Sequence, residues 1–207
     1  MTIASYSDLV SQVADFMGRS DLTTKIDTFI SFVEAEINRE WRTLNQLERT
    51  TLTLTTGTAT VALPDDFLQL NYIGYSGSSV ERLRHISLQD LRQQYYDFTG
   101  CPTAYAYDEA NTLHFAPTPD DAYELDLVYY EKIPALTSSN TSNWLLARDP
   151  RAYFVGCMAF AAEFVEDDAT FGRFATQWQG ISQQYRAQTT RDKAAHSRRR
   201  QFQGLAP

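Results

Sequence analysis

Residues 143–168 read Asn143-Trp-Leu-Leu-Ala-Arg-Asp-Pro-Arg-Ala-Tyr-Phe-Val-Gly-Cys-Met-Ala-Phe-Ala-Ala-Glu-Phe-Val-Glu-Asp-Asp168. Asp149-Pro150 is a helix start: an acceptor side chain at the cap, then a Pro whose missing N–H costs nothing in the first turn. From Ala152 to Ala162 no charge interrupts the run. A helix this apolar on most of its faces must be surrounded by protein on most sides. The run closes on four acids, Glu163, Glu166, Asp167 and Asp168. A second helix is predicted from near Asp168, with Phe171, Phe174, Trp178, Ile181 and Tyr185 at steps of three and four. The fold is therefore expected to form around residues 150–164, with other helices as the cover.

The N-terminal part supplies that cover. Ser5 and Asp8 make a capping-box-like pair ahead of Leu9, Val10, Val13, Phe16 and Met17, and Gly18 ends the short helix. Leu22, Ile26, Phe29, Ile30, Val33, Ile37, Trp41 and Leu44 then recur at helical spacing, with Lys25, Asp27, Glu34, Glu36, Arg39, Glu40 and Arg42 between them. That predicts one helix of roughly six turns, about 33 Å long.

Between the two helical ends the period changes to two. Thr50–Thr56 alternates Thr and Leu, Gly57 turns the chain, and Thr60–Leu63 returns. Phe67–Tyr75, Thr103–Tyr107, Thr112–Ala116 and Tyr123–Tyr130 read as further strands, and Ser87 with Asp90 caps a short helix through Tyr96. The fold class expected is α+β: a helical bundle from the N- and C-terminal helices, with a β-rich insertion of antiparallel strands projecting between them. The boundaries expected are 1–46 with 144–195 for the helical core and 47–136 for the insertion. A polar linker is expected at 137–143, and an extended basic arm at 196–207.

Composition narrows the function classes. The net charge is −8, and the last twenty residues hold five bases against one acid, so they carry +4 and residues 1–187 carry −12. An acidic body with a basic end suggests two surfaces with two tasks. Cys101 and Cys157 form no Cys-x-x-Cys, and His85, His114 and His196 have no ligand spacing, so neither a metal nor any other cofactor is expected. No run approaches the roughly 18 apolar residues of a membrane span. Met1 leads into a polar segment, so a signal peptide is not expected.

The acid pairs Asp65-Asp66 and Asp120-Asp121 and the trio Glu166-Asp167-Asp168 could in principle serve a glycan hydrolase through two facing carboxylates. Each lies at a turn or helix start, where Asp is favoured for backbone capping. Gly74-Tyr-Ser-Gly77 lacks the Lys and the helix of a phosphate loop. Arg198-Arg199-Arg200 reads as a solvated tail, a nucleic-acid contact or a clasp on an acidic partner. DNA-end binding through this tail is the third functional alternative, disfavoured by the acidic body.

Several short segments in fixed order carry a resemblance: Tyr6-Ser-Asp-Leu-Val10, Phe32-Val-Glu-Ala-Glu-Ile-Asn-Arg39, Ala62-Leu-Pro-Asp-Asp-Phe-Leu68, Phe115-Ala-Pro-Thr-Pro119, Leu127-Val-Tyr-Tyr130 with Ile133-Pro-Ala-Leu136, and Asn143-Trp-Leu-Leu146. The series resembles the head-to-tail adaptor (portal adaptor) proteins of tailed phages. The resemblance implies a non-enzymatic virion protein of the neck, assembled in the host cytoplasm as a ring of twelve. The portal would lie above it, the tail tube or nozzle below, and fibres in some cases on the insertion. It implies that the C-terminal segment docks on the portal, which makes Arg191, Arg198, Arg199, Arg200, Phe202 and Leu205 the partner-binding residues. Genomic DNA would pass through without specific binding. Glu163, Glu166, Asp167 and Asp168 are candidates for facing that channel, although a plain helix–helix turn is the favoured reading of them.

Overall fold

The computed structural model describes residues 3–76, 83–108 and 110–203, with side chains as far as residue 191, Ser20 excepted. The protein is α+β, with helices at both ends and strands between. It divides into two compact units, Met1–Asn45 with Ile133–Pro207 and Gln46–Lys132.

In the first unit α1 (Tyr6–Met17) starts on a complete capping box. Ser5 Oγ accepts from Asp8 N–H at 3.2 Å, and Asp8 Oδ2 accepts from Ser5 N–H at 3.0 Å. Gly18, at φ 61, closes the helix in the left-handed region that favours a residue without Cβ. The single six-turn helix expected from Leu22 to Leu44 is not formed. A 3-10 turn (Ser20–Lys25) leads into α2 (Ile26–Glu40), and Trp41 leaves it with extended backbone. Indole burial explains the early stop. Trp41 is fully buried, stacked on Tyr185 (4.1 Å, 12°) and facing Trp178 at 5.8 Å. Leu44, also assigned to the stripe, stays half exposed.

Two further helices, α4 (Trp144–Arg148) and α5 (Pro150–Phe164), are capped by Asn143 and Asp149. As its sequence requires, α5 is buried around its circumference: Ala152, Tyr153, Val155, Gly156, Cys157, Met158, Ala159, Ala161 and Ala162 are all inside. At Gly156 the neighbours come closest, since a Cβ there would lie 2.7 Å from Val33 Cγ2 and 3.2 Å from Trp178 Cζ3. The long helix α6 (Asp168–Gln203) buries Phe174, Trp178, Ile181 and Tyr185. Its backbone stays helical to Gln203, so the arm expected to be extended from 196 is helix as far as the described chain goes. The segment Arg191–Gln203 is rich in Arg, Lys, Ala and Gln and holds no Gly or Pro, and such residues favour helix.

Residues 133–143 belong to this unit, whereas 133–136 were expected in the insertion and 137–143 as a polar linker. Polar side chains of α2 hold the returning chain. Ile133 N–H donates to Asn38 Oδ1 at 2.9 Å, and Leu136 N–H donates to Glu34 Oε1 at 2.8 Å. Tyr153 O–H donates to the same Glu34 oxygen at 3.0 Å. Asn143 Nδ2–H donates to Tyr153 Oη at 2.7 Å and to Pro134 O at 2.8 Å. Ile133 and Leu136 complete the anchorage by burial in the helical core. Glu34 is therefore inside; burial raises its pKa, against the two hydrogen bonds it accepts.

The second unit is two facing sheets. β1 (Leu47–Leu54), β7 (Tyr123–Glu131) and β3 (Phe67–Tyr75) form one, in the order β1-β7-β3. β2 (Thr60–Ala62), β6 (Thr112–Ala116), β5 (Ala104–Tyr107) and β4 (Arg84–His85) form the other, in the order β2-β6-β5-β4. Leu52, Leu54, Ile73, Leu113, Phe115, Leu125 and Leu127 share the core between them, each from alternate positions of its strand. The turn at Gly57 does not make β1 and β2 a hairpin. β1 pairs antiparallel with β7 from Leu47↔Tyr130 to Leu54↔Tyr123, while β2 pairs with β6. Gly57, at φ 75, donates its N–H to Pro119 O at 2.8 Å, which ties the crossing to the loop before β7. β4 runs parallel to β5, so the strands are not all antiparallel. The helix α3 (Leu88–Gln94) starts on Ser87 and leads toward β5.

Candidate functional site

The acidic cluster after α5 resolves into separate roles. Asp167 caps α6: its Oδ1 accepts from Thr170 N–H at 3.1 Å, and hydrogen bonding to Thr170 is the main cause that lowers its pKa, with Arg173 adding a smaller pull. Glu166 turns the chain at φ 59. Asp168 opens the first turn of α6, where a negative charge faces the positive end of the helix dipole. Glu163 stands apart on α5 and lines a groove. The helix–helix turn thus accounts for Glu166, Asp167 and Asp168.

The other acid pairs are engaged in local structure. Asp66 Oδ1 accepts from Tyr129 O–H at 3.0 Å, and Asp66 O accepts from Lys132 N–H at 2.7 Å. Asp65 O accepts from Lys132 Nζ at 2.8 Å. Asp120 Oδ1 accepts from Tyr123 O–H at 2.6 Å, and Asp121 Oδ1 from Ala122 N–H at 2.8 Å. His114 Nε2 lies 3.0 Å from Asp108 Oδ2, a pairing that helps lower the Asp108 pKa and braces the β5–β6 turn. His85 packs against Tyr107 and Tyr105 at ring distances of 5.3 and 5.2 Å. Among the described residues no group of three His, Cys, Asp or Glu could hold a metal ion. Among them too, no helix is long and apolar enough to cross a membrane.

Of the basic end, Arg191 is an exposed residue of α6. The side chains of Arg198, Arg199, Arg200 and Phe202, and the whole of Leu205, lie outside the described residues.

The helical unit exposes two aromatic faces that the sequence reading did not separate. One is a groove of about 410 Å³ between α2, α5 and α6, lined by Glu36, Glu40, Glu163, Phe160, Phe171 and Arg186 among others. Trp178 Nε1–H donates to Glu36 Oε2 at 2.5 Å, and Arg186 pairs with Glu40. Arg39 reaches Glu36 and Glu40 at 3.7 and 3.6 Å. No salt bridge among the described residues reaches Glu163. Phe32, 48% exposed, meets Phe160 at 5.5 Å, and Phe164, 56% exposed, meets Phe29 at 5.8 Å. The second face lies where α1, α5 and α6 meet. There Phe16, 54% exposed, packs edge-on against Phe154 (5.6 Å) and Phe174 (5.7 Å). The Arg173 guanidinium lies over the Phe174 ring at 4.8 Å, and Arg151 donates to Gln177 at 3.3 Å. Sequence periodicity assigned Phe16 and Phe171 to the core stripe. The signal for Phe32 was present, since it lies off the stripe formed by Ile26, Phe29, Ile30, Val33 and Ile37. Clustered exposed aromatics of this kind mark protein contact surfaces.

The chain matches the family model described as SU10 adaptor protein over residues 4–202. No curated protein matches it.

Proposed function

The chain belongs to the SU10 adaptor protein family, a family of structural phage adaptors, and we propose that it forms a ring in the phage neck that joins the portal to the tail and lets the genome pass. The family match across residues 4–202, which takes in both compact units, is the observation that carries this reading.

The chemistry of the chain is consistent with such a part. Residues 1–187 carry a net −12, so a wall made of them offers sliding DNA few cations and little counterion-release binding. With a screening length of about 8 Å at physiological salt, that repulsion acts only where the duplex approaches the wall. Glu163, Glu166, Asp167 and Asp168, all exposed, are the candidates for facing it, with the helix–helix turn still the favoured role of the last three. The basic end, Arg191–Pro207, is proposed as the arm that docks on the portal. Arg191, Arg198, Arg199 and Arg200 would supply charge, and Phe202 and Leu205 apolar anchors. The tail tube or nozzle would lie on the other side, and the β-rich unit is the proposed place for fibres.

The test is mass measurement of the purified protein alone and mixed with its portal. A stoichiometric ring on the portal is the expected result; a chain that stays a monomer in both samples refutes the reading. Deleting Arg191–Pro207 should weaken portal binding and leave the fold intact, and unchanged binding refutes the docking role. Gel shifts across a salt series should show no strong, salt-dependent affinity for duplex DNA; finding one would favour a DNA-end-binding protein instead.

A further inference from the structure

A ring of more than two copies repeats one heterologous contact, so each copy must present two different faces that fit each other. Resting on the ring reading above, we infer that the two aromatic faces of the helical unit are those two partners. The Phe16 face of one copy, bordered by Arg151 and Arg173, seats on the acidic groove of the next, with Phe160 and Phe171 as its aromatic wall and Glu163 as its free carboxylate.

The placement of the residues supports the pairing. Phe154 and Glu163 are nine residues apart on α5, two and a half turns, so they point to opposite sides of that helix. Arg173 and Ser182, and Gln177 and Arg186, have the same nine-residue separation on α6; in each pair the first belongs to the Phe16 face and the second lines the groove. The two faces therefore look away from each other across the α5–α6 pair, as a head-to-tail contact demands. Charge is complementary as well. Among the described residues no salt bridge reaches Arg151, Arg173, which pulls only weakly on Asp167, or Glu163 in the groove, whereas Glu40 is neutralised by Arg186. Each face also leaves aromatic surface in water, with Phe16 54% and Phe171 37% exposed. Phe16 over the Phe160–Phe171 wall, and Arg173 on Glu163, would satisfy both faces at once.

Charge reversal tests the pairing. E163R, R173E and the double variant are compared with the wild-type full chain by sedimentation velocity, alone and on portal rings. Both positions are exposed, and circular dichroism verifies each fold. Placing like charges opposite each other should weaken assembly by about tenfold or more in each single variant, and the double variant should recover most of it. Single variants that assemble like wild type, or a double variant as defective as the singles, overturn the pairing and leave the ring standing. A wild-type chain that assembles under neither condition overturns the ring itself, and this contact with it.

Discussion

Glu34 gives the sharpest test of how the helical unit is held together. It is a carboxylate on α2, 7% exposed, whose Oε1 accepts from Leu136 N–H at 2.8 Å and Tyr153 O–H at 3.0 Å. Glu34→Ala leaves both buried donors without their acceptor. An unsatisfied buried donor costs about 1–3 kcal/mol, so two cost about 2–6 kcal/mol; relief of the carboxylate's own desolvation takes back part of that. A net loss of about 3 kcal/mol is expected. Trp41, Trp144 and Trp178, the chain's three tryptophans, all lie in this unit, so indole fluorescence follows its unfolding without interference from the β unit. With a urea slope of about 1–3 kcal/mol/M, the midpoint should fall by about 1 M or more. Glu34→Gln keeps the accepting oxygen and removes the charge, and should stay within about 1 kcal/mol of wild type. The pH dependence has a definite sign. Burial raises the folded-state pKa of Glu34 above its ordinary value, so between the unfolded and folded values the native state binds more protons. Its contribution to stability is fully present below the unfolded value and lost as pH rises through the folded one. The Gln variant should therefore gain on wild type as pH increases from about 4 toward neutrality. An Ala variant within about 0.5 kcal/mol of wild type, the range of ordinary surface changes, would refute the account of Glu34 as the latch on the returning chain.

Three further outcomes follow from the same structure. Gly156→Ala places a Cβ 2.7 Å from Val33 Cγ2 and 3.2 Å from Trp178 Cζ3. Overpacking of about 1–3 kcal/mol should outweigh the helix gain of about 1 kcal/mol, which a lowered urea midpoint would register. Cys157 is fully buried and its thiol is pushed well above the usual range by desolvation, with Glu34 adding to the effect, so a thiol reagent should titrate one cysteine, the exposed Cys101, in the native protein and two in denaturant. Ser5→Ala removes the side-chain half of the α1 capping box and should cost about 1 kcal/mol, read as faster amide exchange in the first turn of α1.

Much of the secondary structure was legible because local patterns carry it. Asp149-Pro150 opened α5, Ser5 with Asp8 opened α1, and Leu-Thr alternation made β1, each through interactions among residues a few positions apart. The misreadings came where distant partners decide. Helical spacing ran on past Glu40, but Trp41 found its place against Tyr185, 144 residues later, and the helix stopped. Nothing near Glu34 in sequence marks it as buried; residues 133–136 returning beside it decide that. Gly57 looked like a hairpin turn, yet the strand that pairs with β1 is β7. Of the candidate site, the acids at 166–168 could be read as a turn in advance, since capping is local. The two aromatic faces could not be separated, because which flank of a stripe is covered depends on the neighbouring helices.

Taken alone, the amino-acid order settled the α+β class, the buried character of residues 152–162 and the charge contrast between body and end, all of which arise from composition and short-range periodicity. Tertiary structure alone decided which strands pair, which side of α5 and α6 stays in water, and that Glu34 and Asn38 bind the returning backbone. The β1–β7 pairing joins residues about 70 to 80 positions apart, and the contacts of Asn38, Glu34 and Trp178 span 95, 102 and 142 positions; no local pattern encodes a contact whose other half is that distant.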